Sequence, residues 1–413
     1  MISKIKNLKK DDLVRGSIIL FMMMALFNIL NYIFQMAMAR MLGPADYGVL
    51  AVLMSIVYIF GIPSEAIQTV ITRYVSKFEI KKEYGKTKDL FIRSLKKGAV
   101  LSFILFTLFI FASIFLSDIL RIKIGLLAIT GIFIFYVFSV PVIRGVLQGE
   151  KKFFVLGFNM VFESFLKVVF SIFLVFVGFE VYGAIGSLLV GCLLAFGLAL
   201  ISMKNVWRAK RKKANIKNLY RYNVPVLIGI TAIVLVYSLD IIFARIFFTP
   251  ELAGKYSFIS LIGKVVLFSS FAISKTMFPI ASENFEKGRR TGLILKKSVL
   301  LVLAIAFVMV FLCYFWPKQV ISMLSLGSSQ YLDASNILFI LCLAFSFTAL
   351  SNIFINYALS INKMRKSSLV LIVFVILEAI MLSIFNSNLV EFAVALLAIN
   401  LIMFIYTVWV AKR

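Results

Sequence analysis

Residues 16–39, GSIILFMMMALFNILNYIFQMAMA, decide the fold class of this protein. The segment is 24 residues long and contains no Asp, Glu, Lys or Arg. A helix needs about 20 consecutive apolar residues to cross the hydrocarbon core of a bilayer. A cleaved secretory signal has a shorter apolar run, followed by a small-residue cleavage site that is missing here. The segment therefore predicts a transmembrane helix that is not removed.

Similar apolar blocks continue along the whole chain, which is 62% hydrophobic. Soluble globular domains are about half apolar. We therefore predict an all-α integral membrane protein with about twelve transmembrane helices. The predicted spans are 17–39, 46–71, 93–116, 122–147, 153–177, 181–203, 221–248, 252–280, 293–315, 331–360, 367–385 and 389–410.

The loops between these spans predict the orientation of the protein. The net charge is +26, and the basic residues are concentrated in alternate loops, whereas the opposite loops hold few of them. Lys and Arg are enriched on the cytoplasmic side of membrane proteins. We expect a multi-pass protein of the cell (plasma or inner) membrane with both termini in the cytoplasm. The expected partners of this charge are anionic membrane lipids and not nucleic acid.

The most basic loop, at the midpoint of the chain, divides the sequence into two halves. We predict a six-helix lobe over 1–203, a cytoplasmic basic linker over 204–220 and a second six-helix lobe over 221–413. A short motif occurs in both halves, at Ala39, Arg40, Pro44 and Gly48, and again at Ala244, Arg245, Pro250 and Gly254. Because each half has an even number of helices, the lobes are predicted to be related by a pseudo-two-fold axis along the membrane normal, with substrate bound between them.

Three polar residues of the first helix, Asn28, Asn31 and Gln35, are spaced by three and four positions and so share one face. Two interpretations remain open. They form hydrogen bonds between helices, or they line a central cavity.

Charged residues inside transmembrane spans are costly and are often functional. Two interpretations remain open for the cations: they meet an anionic head group in a hydrated cavity, or they form buried pairs that fix helix positions. These cations are Lys264, Lys275, Lys167, Arg40 and Arg245. The acids expected to couple transport or to form buried ion pairs are Glu65, Glu163, Asp240 and Glu378.

The positions of several charged residues say more about their expected roles. Lys264 is the first choice for substrate contact because it lies in the middle of its span with no acid one turn away. Glu163 and Lys167 are four residues apart, so they are expected to be able to pair. Arg144, like Arg73 and Arg93, lies near the cytoplasmic end of its span, so it could either act inside the bundle or extend to the membrane interface.

Several functional classes are excluded by what the sequence lacks. It contains no motif for nucleotide binding, serine hydrolysis or metalloprotease activity, and it has no histidine. Its three cysteines, Cys192, Cys313 and Cys342, lie in apolar blocks and are predicted to be small buried hydrophobes, not disulfide partners or metal ligands. We therefore expect a protein that is not an enzyme and that uses no cofactor or metal.

Residues 39–48, ARMLGPADYG, and 73–76, RYVS, resemble the start of the polysaccharide-biosynthesis flippases. These belong to the multidrug/oligosaccharidyl-lipid/polysaccharide exporter superfamily, and the O-antigen flippase type is the most similar. Residues 240–256 resemble the equivalent part of the second half. The resemblance implies a V-shaped bundle of two six-helix lobes. It also implies movement of a polyprenyl-(pyro)phosphate-linked oligosaccharide from the cytoplasmic to the outer leaflet by alternating access, with glycan polymerase or ligase enzymes as partners.

Two other functions remain open. The first is a cation-coupled multidrug antiporter of the same superfamily, and the second is a non-transporting scaffold for glycan-assembly enzymes. The drug-exporting branch often has an acidic residue in its first helix, where this chain has Asn28, Asn31 and Gln35. The resemblance therefore favours the flippase.

Overall fold

The structure is a computed structural model that describes residues 2–214, 224–361 and 368–412. Residues 215–220 of the predicted linker lie outside the described residues. Over the described ranges the protein is almost entirely helical and contains no strand. The predicted all-α membrane fold is confirmed.

The described part of the first half forms seven α-helices and one π-helical turn. The helices are α1 (Ile2–Phe60), α2 (Ser64–Ile80), α3 (Tyr84–Leu120), α4 (Ile124–Gly149), α5 (Phe153–Leu174), α6 (Glu180–Ile201) and the short α7 (Lys204–Arg208). The π-helical turn, Val175–Phe179, joins α5 to α6.

The second half follows a similar order. Its helices are α8 (Val224–Phe247), α9 (Pro250–Glu286), α10 (Gly292–Phe315), the short α11 (Pro317–Leu324), α12 (Leu338–Ser360), α13 (Ser368–Ile384) and α14 (Leu389–Lys412). A 3-10 helix, Ser329–Ile337, precedes α12.

Nine helical segments of the described chain are long and apolar enough to cross a membrane. Two of them, Met22–Ile80 and Phe153–Ile201, are 59 and 49 residues long, more than twice the roughly 20 residues that one crossing needs. Each is interrupted by a glycine with positive φ, Gly43 (71°) or Gly178 (100°), a conformation that glycine adopts at little cost. Counted as two crossings each, and with the shorter apolar helix Leu369–Ile384, they bring the total to the predicted twelve.

The chain packs as two compact units. Unit 1 contains Met1–Met41 and Phe60–Arg221, and unit 2 contains Leu42–Ile59 and Tyr222–Arg413. The end of α1 therefore packs in unit 2. The predicted lobes, 1–203 and 221–413, differ from these units in the placement of residues 42–59, and they stay a prediction of domain organisation.

The pairing of helices is similar within the two units. In unit 1, α4 packs against α2 and α3, and α5 packs against α6. In unit 2, α12 packs against α9 and α10, and α13 packs against α14. In each half these are contacts of the fourth transmembrane helix with the second and third, and of the fifth with the sixth. This correspondence supports the internal repeat.

The two copies of the Pro-Gly motif contact each other inside unit 2. A Cβ atom on Gly254 would lie 1.7 Å from the carbonyl oxygen of Pro44. A Cβ atom on Gly48 would lie 2.9 Å from Cα of Gly254 and 3.4 Å from the oxygen of Pro250. Small residues allow the backbones of membrane helices to approach this closely, which gives the repeated glycine a structural reason.

Gly254→Ala is therefore expected to destabilise the protein by about 1–3 kcal/mol, since the new methyl group meets backbone that cannot rotate away. Gly197→Ala is the matched control, because nothing lies within 4 Å of its Cβ position and alanine favours helix. Thermal unfolding of the purified variants in detergent measures the effect. Equal unfolding temperatures for the two variants would contradict the close contact.

The start of the predicted linker is attached to the beginning of α3, outside the predicted membrane-spanning part of that helix. The buried carboxylate of Asp89 accepts hydrogen bonds from the backbone N–H of Ala214 (2.9 Å) and from Nε of Arg211 (2.8 Å). It also forms an ion pair of 2.9 Å with Arg93. The backbone N–H of Lys212 donates to the oxygen of Gly85. This end of the linker is thus part of unit 1.

The attachment is expected to depend on pH. Burial raises the pKa of Asp89, but the bonds from Ala214 and Arg211 and the charges of Arg93 and Arg211 outweigh burial, so the pKa lies below its ordinary value. A carboxyl with a lowered folded-state pKa stabilises the attachment above its unfolded pKa of about 3.9. That contribution is lost as the pH falls through the folded-state pKa.

Hydrogen exchange of residues 209–214, corrected for the intrinsic rate, measures this attachment. We expect protection at neutral pH that disappears in the acid range below about pH 4. Asp89→Asn should remove the protection at neutral pH. Asp118→Asn, at an exposed position on the same helix, should not. Full protection in Asp89→Asn at neutral pH would show that the carboxylate does not hold the linker.

Candidate functional site

Two clusters of buried charged side chains lie in the transmembrane helices, one in each unit. We call Asn31, Arg144, Glu163 and Lys167 the unit 1 cluster. We call Asp240, Tyr256, Ser260, Lys264 and Glu378 the unit 2 cluster. Each cluster joins side chains from at least three helices, so neither could be seen as one group in the sequence.

Half of the side chains predicted as site candidates or buried pairs belong to these clusters. They are Asn31, Glu163, Lys167, Asp240, Lys264 and Glu378. The sequence also named Arg144, but left open whether it acts inside the bundle or extends to the membrane interface. Tyr256 and Ser260 were not predicted. The only sequence signal for them is their position one and two turns before Lys264, on the same side of α9.

The unit 1 cluster is built on an ion pair between α4 and α5. Arg144 Nη2 lies 2.5 Å from Glu163 Oε2, and both side chains are largely buried. The hydroxyl of Tyr136 donates to the same carboxylate oxygen at 2.6 Å, and Arg144 Nε donates to Asn159 Oδ1 at 3.2 Å. Of the two possibilities for Arg144, the structure shows the one inside the bundle, because a carboxylate on the neighbouring helix binds it there.

Lys167 has a neutral hydrogen-bond partner. Its Nζ donates to Asn31 Oδ1 and lies 4.6 Å from the centre of the Phe34 ring, a distance suited to a cation–π interaction. The expectation that Lys167 pairs with Glu163 is wrong, since Glu163 pairs with Arg144. The unit 1 cluster thus holds two cations and one carboxylate.

The polar face of α1 separates into different environments. Asn31 is half-buried, and its Nδ2 donates to Ser164 Oγ on α5 at 3.1 Å, so it forms hydrogen bonds between helices. Gln35 is buried and Asn28 is exposed. Three positions on one helical face therefore do not share one environment.

The unit 2 cluster is built on an ion pair between α8 and α9. Lys264 Nζ lies 2.9 Å from Asp240 Oδ1, with the two side chains 3% and 0% exposed. The other oxygen of Asp240 accepts hydrogen bonds from Ser260 Oγ (2.6 Å) and Tyr256 OH (3.4 Å). Lys264 has no acid one turn away on its own helix, as expected, but its charge is compensated by an acid on the preceding helix.

Glu378 of α13 adds a second carboxylate to the unit 2 cluster. It is fully buried, and neither carboxylate oxygen has a hydrogen-bond partner among the described residues. It interacts electrostatically with Asp240 and Lys264. These three side chains comprise two acids and one cation, the opposite balance to the unit 1 cluster.

The remaining charged candidates lie in other environments. Arg40, Glu65 and Lys275 are exposed, whereas Arg245, in the last turn of α8, is buried. Their predicted roles in substrate binding or coupling stay predictions.

The chain matches a known protein family over most of its length. The family model described as "Polysaccharide biosynthesis protein" matches residues 13–285. The chain belongs to this family. The matched region contains the whole unit 1 cluster together with Asp240 and Lys264, while Glu378 lies beyond it. No curated protein sequence matches the chain.

Solved structures of transporters share the fold at low sequence identity. An inward-facing multidrug resistance transporter of the MATE family in the MOP superfamily has a TM-score of 0.75 and 15% identity, with 94% of each chain covered. An outward-facing transporter of the same description has a TM-score of 0.65 and 17% identity, covering 98% of this chain and 95% of that chain. A MOP superfamily transporter from Pyrococcus furiosus has a TM-score of 0.57 and 16% identity, with coverage of 98% and 95%. This protein is therefore a multi-pass membrane protein with the fold of the MOP superfamily.

Proposed function

We propose that the protein is a flippase that moves a polyprenyl-(pyro)phosphate-linked oligosaccharide from the cytoplasmic to the outer leaflet of the cell membrane. In this proposal both termini are cytoplasmic, the lobes expose the substrate path to each side in turn, and glycan polymerase or ligase enzymes receive the product. Membership of the polysaccharide biosynthesis family supports the biological setting.

The observation that carries the proposal is the excess positive charge of the unit 1 cluster. Arg144 and Lys167 face a single carboxylate, Glu163, and the direct partner of Lys167 is the neutral Asn31. An unbalanced charge inside a membrane bundle is costly and is typically retained for function. A phosphate group would supply the missing negative charge, whereas a cationic drug would be repelled.

Flipping such a lipid needs no covalent chemistry. The barrier lies in moving a polar head group through hydrocarbon, where each unpaired hydroxyl costs roughly 2–7 kcal/mol and an ionised phosphate far more. A hydrated path with a cation at the depth of the phosphate lowers that barrier, while the polyprenyl tail stays in lipid. Alternating access then moves the head group across the bilayer.

One observation favours a second function, a cation-coupled multidrug antiporter. The unit 2 cluster contains two acids, Asp240 and Glu378, but one cation, Lys264. Glu378 has no hydrogen-bond partner among the described residues, and an acid of this kind can bind a coupling cation. The antiporter predicts gradient-dependent drug efflux that is lost when Asp240 or Glu65 is neutralised.

A transport assay with two substrates distinguishes these functions. The full-length protein is reconstituted in vesicles with a fluorescent undecaprenyl-diphosphate oligosaccharide, and in parallel with the cationic dye ethidium under a proton or sodium gradient. The flippase predicts that the glycan becomes accessible in the opposite leaflet, in a protein-dependent way, without ethidium efflux. Ethidium efflux without glycan movement would overturn the flippase in favour of the antiporter.

The scaffold alternative is tested in cells. If the protein only assembles glycan enzymes, Lys167→Met, whose direct partner is the neutral Asn31, and Lys275→Ala leave surface glycan export intact, and the reconstituted protein moves neither substrate. The proposed topology has its own test. Because residues 204–213 are proposed to be cytoplasmic, single cysteines introduced there should not react with a membrane-impermeant reagent added outside intact cells. Labelling of these positions in intact cells would overturn the topology.

A further inference from the structure

Two of the three cysteines lie next to each other in unit 2. Cys313 is in the last turn of α10, and Cys342 is in the second turn of α12. Their sulfur atoms are 3.2 Å apart, with the thiol of Cys342 donating to that of Cys313. Both side chains are buried, at 1% and 0% exposure. The sequence predicted this burial correctly, but it also predicted that the cysteines are not disulfide partners, because the separation of the two residues along the chain concealed their contact.

The packing of α10 against α12 holds the two thiols in place. Only Ser298, Val302, Ala306 and Cys313 are buried among the residues of α10, and they form one stripe along the helix. Beside the thiols, the rings of Tyr314 and Phe339 are 5.0 Å apart and join the same two helices. The sulfur contact is therefore part of an interface between helices, not of a loop.

We propose that Cys313 and Cys342 form an intramolecular disulfide that joins α10 to α12. Two S–H bonds break and one S–S bond forms, and the two protons and two electrons pass to a lipid-soluble quinone, which is reduced to the quinol. The sulfur atoms must approach from 3.2 Å to about 2.0 Å, a movement of the size that side-chain rotation supplies.

The surroundings of the pair determine which oxidant can act. Both thiols are buried inside the protein, away from lipid as well as from water, so oxidation requires a transient opening between α10 and α12. Because both helices lie in the predicted membrane-spanning region, a quinone dissolved in the bilayer is the oxidant that meets this opening. In the predicted topology, the segment 316–337 between the two helices is on the outer side of the membrane, where disulfides persist. The same burial protects the bond, once formed, against water-soluble reductants.

The third cysteine provides an internal control. Cys192 is also buried, but it lies in unit 1, where its sulfur is 3.7 Å from Glu163 Oε1. An oxidant that recognises only buried thiols would affect all three cysteines, whereas the proposed pairing affects two and leaves Cys192 free.

Counting free thiols tests the proposal. The full-length protein in vesicles is treated with decylubiquinone, then denatured and labelled with a maleimide that adds mass. The reduced sample is denatured in the presence of a phosphine reductant, which is removed before labelling. We expect three labels on the reduced protein and one, at Cys192, on the oxidised protein. Mass spectrometry should find the peptides of Cys313 and Cys342 linked, with a mass two hydrogens below the sum of the two reduced peptides.

Two variants complete the test. Cys313→Ser and Cys342→Ser should each keep two labelled thiols after the quinone treatment. Oxidation should raise the unfolding temperature of the unmodified protein, because the bond restricts the unfolded chain, and should leave that of either variant unchanged. Three labels on the quinone-treated protein, or a bond that involves Cys192, would overturn the proposal. Its outcome does not depend on the transported substrate.

Discussion

Arg144→Ala is expected to destabilise the protein by about 3–5 kcal/mol, the loss typical of breaking one side of a buried ion pair. The substitution leaves the carboxylate of Glu163 inside the bundle with the hydroxyl of Tyr136 and the thiol of Cys192 as its remaining hydrogen-bond donors. It also removes the donor to Asn159 Oδ1. Unfolding of the purified protein in detergent, by heat or by increasing SDS, measures the loss.

The double variant Arg144→Ala/Glu163→Gln separates charge from packing. If the cost comes from the unpaired carboxylate, the double variant is more stable than Arg144→Ala alone, and a double-mutant cycle gives the coupling between the two positions. Arg73→Ala is the matched control, because Arg73 is an exposed arginine of a neighbouring helix. Equal stabilities of Arg144→Ala and Arg73→Ala would show that the ion pair contributes nothing.

The membrane crossings could be predicted from the sequence because they depend on local properties. The length and hydropathy of a segment such as residues 16–39 are enough to identify a helix that spans the bilayer. The repeated Pro-Gly motif could also be found in the sequence, because it is a short local pattern that occurs once in each half. Its contact between Pro44 and Gly254 could not be predicted, since spacing along the chain does not show which helices meet.

The buried charges pair between helices, whereas the sequence analysis looked for partners along one helix. Helical spacing identifies neighbours on one helix, and it suggested Glu163 with Lys167 and no partner for Lys264. In the structure, the partners of Glu163 and Lys264 are Arg144 and Asp240, each on another helix. Buried ions in a low-dielectric interior need an opposite charge with good geometry, and that geometry is set by helix packing.

The two clusters differ in composition although the units resemble each other in helix packing. The helix pairing is similar in the two units, but the charge balance is not. The unit 1 cluster has an excess cation at Lys167, whereas the unit 2 cluster has an additional carboxylate at Glu378. A phosphate site and a cation-coupling site need opposite charges, so the unit 1 cluster matches the proposed flippase and the unit 2 cluster matches the alternative antiporter.

Lys167→Met is expected to reduce glycan flipping by about 10- to 100-fold while the protein stays folded. A hydrogen bond to a charged group contributes about 1.5–3 kcal/mol, and each 1.36 kcal/mol corresponds to about tenfold in rate. Stability should change little, because the direct partner of Lys167 is the neutral Asn31 and Glu163 keeps its ion pair with Arg144. The reconstituted flipping assay, together with thermal unfolding of the same preparation, measures both quantities.

Lys167→Arg tests whether the charge itself is what matters, and it should retain more flipping than Lys167→Met. Lys96→Ala, at an exposed lysine of α3, is the control for a general loss of positive charge. A folded Lys167→Met that flips glycan at the unmodified rate would remove the role of the excess cation. The asymmetry between the clusters would then rest on Glu378 alone, and that carboxylate favours the antiporter.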